Sequence, residues 1–412
     1  MLKFVILADD CTGALDAAVP FVKQSIPVQV FLTGFPEAEA LGEKYEVASV
    51  ALETRHLPPE EAYGIVRRAA EQAWAAGAQY IYKKTDSALR GNIGAELRAV
   101  MDGTGEETLA FIPAFPQMGR TTREGIQYIG ETRLEDSAYG QDPFEPARES
   151  DVSRILRRQT DTPAQKAVPG EPVPEGKGIL IWDARTAEDM KKIAGQMKET
   201  DCRLFAGCGG FAEFLPQVEP CRKRDIPLPP PANRLLIVAG SIHPATRRQL
   251  AALDQTRYVF FTLSQAQMLQ EDFADSPEYR EQIRSIKRAL HRRGRVVLRS
   301  AGGFAGEELH SRRDFVCGRI GKAVEDTLRG ESGCALAVFG GDTLLESAIR
   351  LVDGAVYPAG EVVPGVVAAR ARNKAGEEIC IVSKSGGFGE EDVVERITDY
   401  IFGEEKAICT EQ

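Results

Sequence analysis

The chain has 412 residues, is 43% hydrophobic and 27% charged, and carries a formal charge of −10. That length supports two or three domains with sizeable cores, and the mixed composition excludes disorder as the dominant state. An acidic chain lacks the basic face that nucleic acid demands, so any bound anion must sit in a local pocket. No apolar run reaches the roughly 18 residues of a membrane span. The opening run Phe4–Ala8 stops at Asp9 and Asp10, too short for a signal-peptide core. A cytoplasmic protein that binds neither nucleic acid nor membrane is expected. The eight cysteines form no CxxC pair, and none of the four histidines neighbours another. Reduced thiols follow, and a His-rich metal site does not.

In chain order, short β runs at 3–8, 28–32, 47–52, 79–83, 108–112, 179–182 and 203–206 alternate with helical patterns, notably 59–76 and 186–199, with proline and acidic residues at the helix starts. A polar Pro/Gly run at 162–178 reads as a surface loop. Six prolines and a charge cluster fill 216–233, a stretch that cannot continue a helix or a central strand. The expected division is therefore a first domain over 1–218, a stiff linker over 219–233 and a second domain over 234–412. Further strands are expected at 235–240, 257–262, 295–299, 335–339, 361–369 and 379–383, with helices at 276–292 and 311–329 between them. The alternation predicts an α/β fold of two domains, each a mainly parallel sheet covered by helices, with a ligand cleft between them.

Ligands of parallel sheets bind at the carboxyl ends of strands. The first such point is Asp9-Asp10-Cys11-Thr12-Gly13, whose paired carboxylates could accept hydrogen bonds from a polyol; an N-cap is the structural alternative. The second is Lys83-Lys84-Thr85-Asp86-Ser87-Ala88-Leu89-Arg90-Gly91. Arg90 offers a fork and Lys84 a point charge for a carboxylate or phosphate, while Asp86 could take a proton from a hydroxyl; a solvated polar loop with an ion pair is the alternative. The third, Pro113 to Gly125, reads as a turn that could present Arg120 to an anion. In the second half, Gly240-Ser241-Ile242-His243-Pro244-Ala245-Thr246, Gly340-Gly341-Asp342-Thr343 and Ser383-Lys384-Ser385-Gly386-Gly387 all follow strands. Together they could cradle a nucleotide, although neither GxxxxGK[ST] nor GxGxxG is present. Gly-Gly-Phe also occurs at 209–211 and 302–304, where sequence offers only tight turns as a reason.

The segments ADDCTGALDAA, KKTDSALRGNIGAEL, PAFPQMGRTTREG, AGSIHPATRRQL, FGGDT and SKSGGFGEED, in this order, resemble the four-carbon acid sugar kinase family. The resemblance runs from residue 4 to about residue 400. It implies an N-terminal sugar-acid domain, a C-terminal ATP domain, and phosphorylation of threonate, erythronate or 3-oxo-tetronate at the terminal hydroxyl. It places sugar-acid contacts on Asp9, Asp10 and the 84–90 loop with Lys84, Asp86, Ser87 and Arg90, and the turn at Arg120 adds that residue as a further candidate. ATP contacts fall on Ser241, on Gly340, Gly341, Asp342 and Thr343, and on Gly386 with its neighbours Ser385 and Gly387. Thr246 is a further candidate, and the chemistry makes Asp342 the candidate direct or water-mediated Mg²⁺ contact. Asp86, Asp10 and Arg90 are the expected catalytic group, Asp86 as base ahead of Asp10. The partners implied are a small sugar acid and ATP, and a homodimer is compatible with them. The family commonly has Ser at His243 and Thr at Ala88. Those departures are the support for a rival reading, a catalytically silent regulator that binds nucleotide and sugar acid. A nicotinamide-dependent dehydrogenase is disfavoured by the missing GxGxxG.

Overall fold

The computed structural model describes residues 2–36, 45–141, 146–241, 243–301 and 307–403, with the side chains of 307–314 left aside. The chain separates into two compact units, Met1–Ile226 and Pro227–Gln412.

The first unit holds strands β1 (Phe4–Ala8), β2 (Val28–Phe31), β3 (Val47–Ala51), β4 (Tyr80–Lys84), β5 (Thr108–Ile112), β6 (Arg120–Arg123), β7 (Ile126–Ile129), β8 (Thr132–Arg133), β9 (Ala164–Ala167), β10 (Gly178–Trp182) and β11 (Leu204–Gly207). Its main sheet runs β2-β3-β1-β4-β11-β5-β10-β9, and every pairing in it is parallel. All five residues of β1, β3 and β10 are buried, as strands covered by helices on both faces require. Helices Cys11–Lys23, Pro59–Ala75, Ile93–Thr104 and Ala187–Lys198 supply that cover. A Thr186/Asp189 capping box starts the last of these, and Pro59 occupies the first turn of the second.

The second unit holds β12 (Arg234–Ala239), β13 (Val259–Leu263), β14 (Arg295–Ser300), β15 (Cys334–Phe339), β16 (Val352–Val363), β17 (Val366–Asn373) and β18 (Glu378–Lys384). Their order is β13-β14-β12-β15-β18-β17-β16. The first five pair in parallel and the last two pairings are antiparallel. Ile237, Val297, Phe339, Val382 and Ile397 belong to its buried core. No helix among the described residues is long and apolar enough to cross a membrane.

The expected α/β architecture with mainly parallel sheets is present, and three local expectations are corrected. The single strand at 361–369 is two antiparallel strands, β16 and β17, because Pro364 and Gly365, the latter at φ 77°, reverse the chain inside it. The 162–178 loop contains β9, which adds to the edge of β10. The turn at Arg120 is instead the first strand of a separate antiparallel sheet, β6-β7-β8.

Both units wind alike. From β1 the chain moves outward to β2, returns to β3, then crosses β1 to reach β4; β12, β13, β14 and β15 repeat that path. The winding reverses between β1 and β4 and again between β12 and β15. In open parallel sheets, that reversal leaves a crevice at the carboxyl ends of the two central strands.

Candidate active site

In the first unit the crevice collects charge from three neighbouring strands. Asp9 and Asp10 follow β1, Thr54 and Arg55 follow β3, and Thr85 to Gly91 follow β4. Arg55 lies at the centre. Its Nε donates to Asp9 Oδ2 at 2.7 Å, its Nη1 meets Asp10 Oδ2 at 2.8 Å, and Asp86 Oδ1 is 4.0 Å away. Arg90 grips Asp86 with both prongs, Nε to Oδ2 at 2.8 Å and Nη2 to Oδ1 at 3.0 Å. The backbone N–H of Ala88 adds a third bond to Asp86 at 3.1 Å. Burial works to raise the Asp86 pKa, but the Arg55 and Arg90 guanidiniums hold it well below the usual carboxylate range. Asp10 is lowered in the same way: burial opposes, while Arg55, Lys84 and the Gly13 N–H outweigh it.

Asp10 also caps the helix Cys11–Lys23, accepting from the Gly13 N–H at 2.7 Å and the Thr12 hydroxyl at 2.9 Å. The cap and the charge cluster are thus one device. Gly13 is required by space: a Cβ there would lie 2.5 Å from Asp10 Oδ1 and 3.0 Å from Lys84 Nζ. Lys84 is buried beneath the carboxylates and donates to Thr85 O at 3.0 Å. Desolvation works to lower it, but Asp16, Asp9 and Asp10 raise it overall, so it stays an ammonium.

Under Arg55 lies a support that the motifs did not reveal. Lys83 Nζ and Glu96 Oε2, both within the core, pair at 2.9 Å. The Thr54 hydroxyl donates to the same Glu96. Asn92 Nδ2 donates to the carbonyls of Thr54 at 2.9 Å and Leu57 at 2.8 Å. The start of the helix Ile93–Thr104 thereby fixes the turn that carries Arg55.

Arg120 reaches the same edge indirectly. It donates to Met118 O and to the Tyr139 hydroxyl, each at 2.7 Å. The guanidinium carbons of Arg90 and Arg120 lie 5.6 and 5.5 Å from the Tyr139 ring centroid, within cation–π range. Three buried polar atoms here have no hydrogen-bond partner among the described residues: Asp9 Oδ1, Thr85 Oγ1 and Arg120 Nε. Buried polar groups are nearly always satisfied, so an orphaned set of donor and acceptors calls for an explanation. Ser87 is half-buried in the same turn. Gly209 and Gly210 have their account too: Cβ atoms would lie 2.6 Å from Asp16 Oδ2 and 2.8 Å from Ala114 O. The triplet at 302–304 lies outside the described residues.

In the second unit, the three glycine-rich turns follow the adjacent strands β12, β15 and β18 and meet at one edge. Ser241 N donates to Phe339 O at 3.1 Å and Gly340 N to Lys384 O at 2.9 Å. The Thr246 hydroxyl donates to Gly386 O at 2.9 Å. Gly386 tolerates no side chain, since a Cβ would overlap Ser241 Oγ. Asp342 and Thr343 occupy the first turn of the helix Gly341–Leu351. The loop rests on a fully buried lysine, Lys384, whose ammonium burial pushes down to about 8. Glycine approach, exposed turn amides and a helix start suit phosphate binding.

Compared with known proteins, residues 4–215 match a sugar-binding N-terminal domain and residues 236–394 a nucleotide-binding C-terminal domain. A D-threonate kinase of Bordetella bronchiseptica is 30% identical, covering 96% of each chain. The chain belongs to the four-carbon acid sugar kinase family. It is an ATP-dependent carbohydrate kinase. A D-erythronate kinase of Heliobacterium modesticaldum is 27% identical over 97% of each chain. A solved Salmonella typhimurium LT2 structure shares the fold, with a TM-score of 0.78 at 21% identity over 97% of this chain and 100% of that one.

In this kinase both departures from the family pattern have local structural contacts. His243 caps the helix Pro244–Ala251, its Nδ1 accepting from Ala245 N at 3.1 Å. Ala88 is fully buried, with its N–H on Asp86. Neither removes a charged group from the cluster. Arg55 and Tyr139 are the residues that motif reading overlooked. Arg55 stands directly after the expected strand 47–52, so the strand-end rule applied there finds it. Tyr139 carries no comparable signal.

Proposed function

We propose that this kinase transfers the γ-phosphoryl group of ATP to the terminal hydroxyl of threonate, erythronate or 3-oxo-tetronate. The observation that carries the reading is the orphaned set Asp9 Oδ1, Thr85 Oγ1 and Arg120 Nε beside the Arg55 cluster. Two acceptors and a cationic donor are what the hydroxyls and carboxylate of a small sugar acid would complete. Asp86 is the carboxylate assigned to the attacking hydroxyl. Its low pKa makes it a weak base that orients the hydroxyl and accepts the proton late. That is adequate where the transition state is loose and positioning and charge neutralisation carry the rate. Asp10 is the second candidate for that proton. Arg90 and Arg120, flanking Tyr139, are the cations assigned to the substrate carboxylate.

ATP is assigned to the turns at Ser241, Gly340–Thr343 and Ser385–Gly387, with Thr246 bracing the last of them. Mg²⁺ typically binds through one or two carboxylates together with substrate phosphates. Asp342 fits that pattern; among the described residues no group of three acidic, His or Cys side chains is placed to hold a metal by itself. A bound Mg²⁺ would neutralise charge on the β- and γ-phosphates.

The test is ADP release in a coupled assay across stereoisomers of the three sugar acids. Turnover with one of them and none with ATP alone is the expected result. Silence across the whole panel, with ATP bound, would overturn the reading in favour of a silent binding protein.

A further inference from the structure

The phosphate-loop sequence Ser385-Gly386-Gly387-Phe388-Gly389 is shaped by its carbonyls. Lys384 Nζ donates to the carbonyl oxygens of Ser385 at 3.1 Å, Gly386 at 3.3 Å and Phe388 at 3.1 Å. Gln249, also buried, donates through Nε2 to the carbonyls of Phe388 at 3.1 Å, Gly389 at 2.6 Å and Glu390 at 3.1 Å. Thr246 adds its bond to Gly386 O. A run of carbonyls is thus drawn onto a buried ammonium and a buried amide.

In a trans peptide the N–H points opposite to the carbonyl of the preceding residue, and the described chain contains no cis bond. Drawing in the carbonyls of Ser385, Gly386 and Phe388 therefore turns the N–H groups of Gly386, Gly387 and Gly389 outward. Among the described residues those three amides donate to no backbone or side-chain acceptor. Outward amides in succession form an anion-binding concavity. The lysine itself is fully buried and 4.9 Å above the Phe339 ring, so it acts on the loop and does not touch a ligand.

We propose that Lys384 is a positioning residue whose buried ammonium gathers the 385–389 carbonyls and thereby presents the Gly386, Gly387 and Gly389 amides to the nucleotide phosphates. This rests on the kinase reading above. It explains why a lysine occupies the end of β18, where every acceptor it meets is neutral: an ammonium has three N–H donors, one for each carbonyl it gathers, and its charge strengthens each bond.

The experiment is a titration of the full chain, labelled with ¹⁵N-glycine, with MgADP, together with kinetics of Lys384→Met. The Gly386, Gly387 and Gly389 amide signals should move on saturation in the wild-type protein. In Lys384→Met the KM for ATP should rise about tenfold or more, as expected for losing hydrogen bonds from a charged donor, while the sugar-acid KM stays within about twofold. Glycine signals that stay fixed while ATP turnover saturates would overturn the proposal and leave the kinase reading standing. So would an unchanged ATP KM, or two KM values rising together. If Lys384→Met does not fold, the wild-type titration decides alone. Absence of both ADP binding and ADP formation would remove the kinase reading as well.

Discussion

Replacing Arg55 by alanine tests the charge cluster directly. The guanidinium is 12% exposed and holds Asp9, itself 2% exposed, at 2.7 Å and Asp10 at 2.8 Å. Breaking a buried pair by removing one partner costs about 3–5 kcal/mol, because the remaining charges stay buried without compensation. The figures for the two carboxylates are not added, since both respond to one lost group. For a unit of this size each kcal/mol lowers Tm by about 2–4 °C, so Arg55→Ala should fall by about 6–20 °C near pH 7.5.

The pH dependence has a definite sign. Asp10 and Asp86 are both lowered in the folded chain, and Arg55 is the first charge responsible for each once burial is overcome. A carboxyl depressed on folding contributes stability that is fully present above its unfolded pKa near 4 and is lost as pH falls through the folded value. Without Arg55 those carboxyls rise toward the ordinary range, and protonation relieves their crowding. The gap between wild type and variant should therefore be full at about pH 7.5, hold down to about pH 5, and narrow only below about pH 4, being smaller at about pH 3. Thermal unfolding followed by circular dichroism at pH 7.5 and pH 3 measures it. The exposed pair Arg67–Glu71, at 49% and 45% exposure, is the control; Arg67→Ala should shift Tm by only a few degrees. A deficit under about 2 °C at pH 7.5, or one unchanged at pH 3, would refute the idea that Arg55 balances three carboxylates.

Asp86→Asn preserves shape and removes the acceptor charge, so kcat should drop about 10²–10⁴-fold with the ATP KM little changed; initial-rate kinetics decide. Tyr139→Phe keeps the ring between Arg90 and Arg120 but removes the hydroxyl that accepts from Arg120. The sugar-acid KM should rise about 2–10-fold, and an unchanged value would take Arg120 out of substrate positioning. Gly386→Ala places a methyl group against Ser241 Oγ and should raise the ATP KM about tenfold or more, the equivalent of at least about 1.4 kcal/mol; a wild-type KM would show that the turn is not a nucleotide contact. Chelation by EDTA should abolish turnover, and added Mg²⁺ should restore it; undiminished ADP formation in EDTA would exclude a role for Asp342 as metal contact.

Sequence patterning reveals the parallel strands well, because strands buried on both faces read as short apolar runs between helices. It reveals Asp9, Asp10, Asp86 and Arg90 for the same reason, since each lies in the loop that follows such a run. The β16–β17 hairpin was hidden because its residues show no interruption except Pro364-Gly365, which also suits a loop within one strand. Tyr139 was hidden because it lies in irregular chain and is brought to Arg90 and Arg120 only by tertiary packing. Lys384 stood inside a motif singled out for its glycines and hydroxyls. Its role depends on where carbonyls point, and a residue pattern does not encode that.

The repeated winding of the two units gives the residue chemistry its meaning. The same topological position carries Asp9, Asp10 and Asp86 against Arg55, Arg90 and Lys84 in the first unit. In the second it carries glycine amides, hydroxyls and one carboxylate, Asp342. A polyphosphate brought to the first crevice would meet three carboxylates already balanced by three cations, and would be repelled by the former as much as attracted by the latter. A small hydroxy acid carries one charge and several hydroxyls, and can use the unpartnered Asp9, Thr85 and Arg120 atoms without upsetting that balance. On the proposed geometry, amides turned outward by a buried ammonium meet a single carboxylate, Asp342, and suit phosphate. On the proposed assignment, the division of labour between sugar acid and nucleotide follows from charge balance at two equivalent points of the same winding.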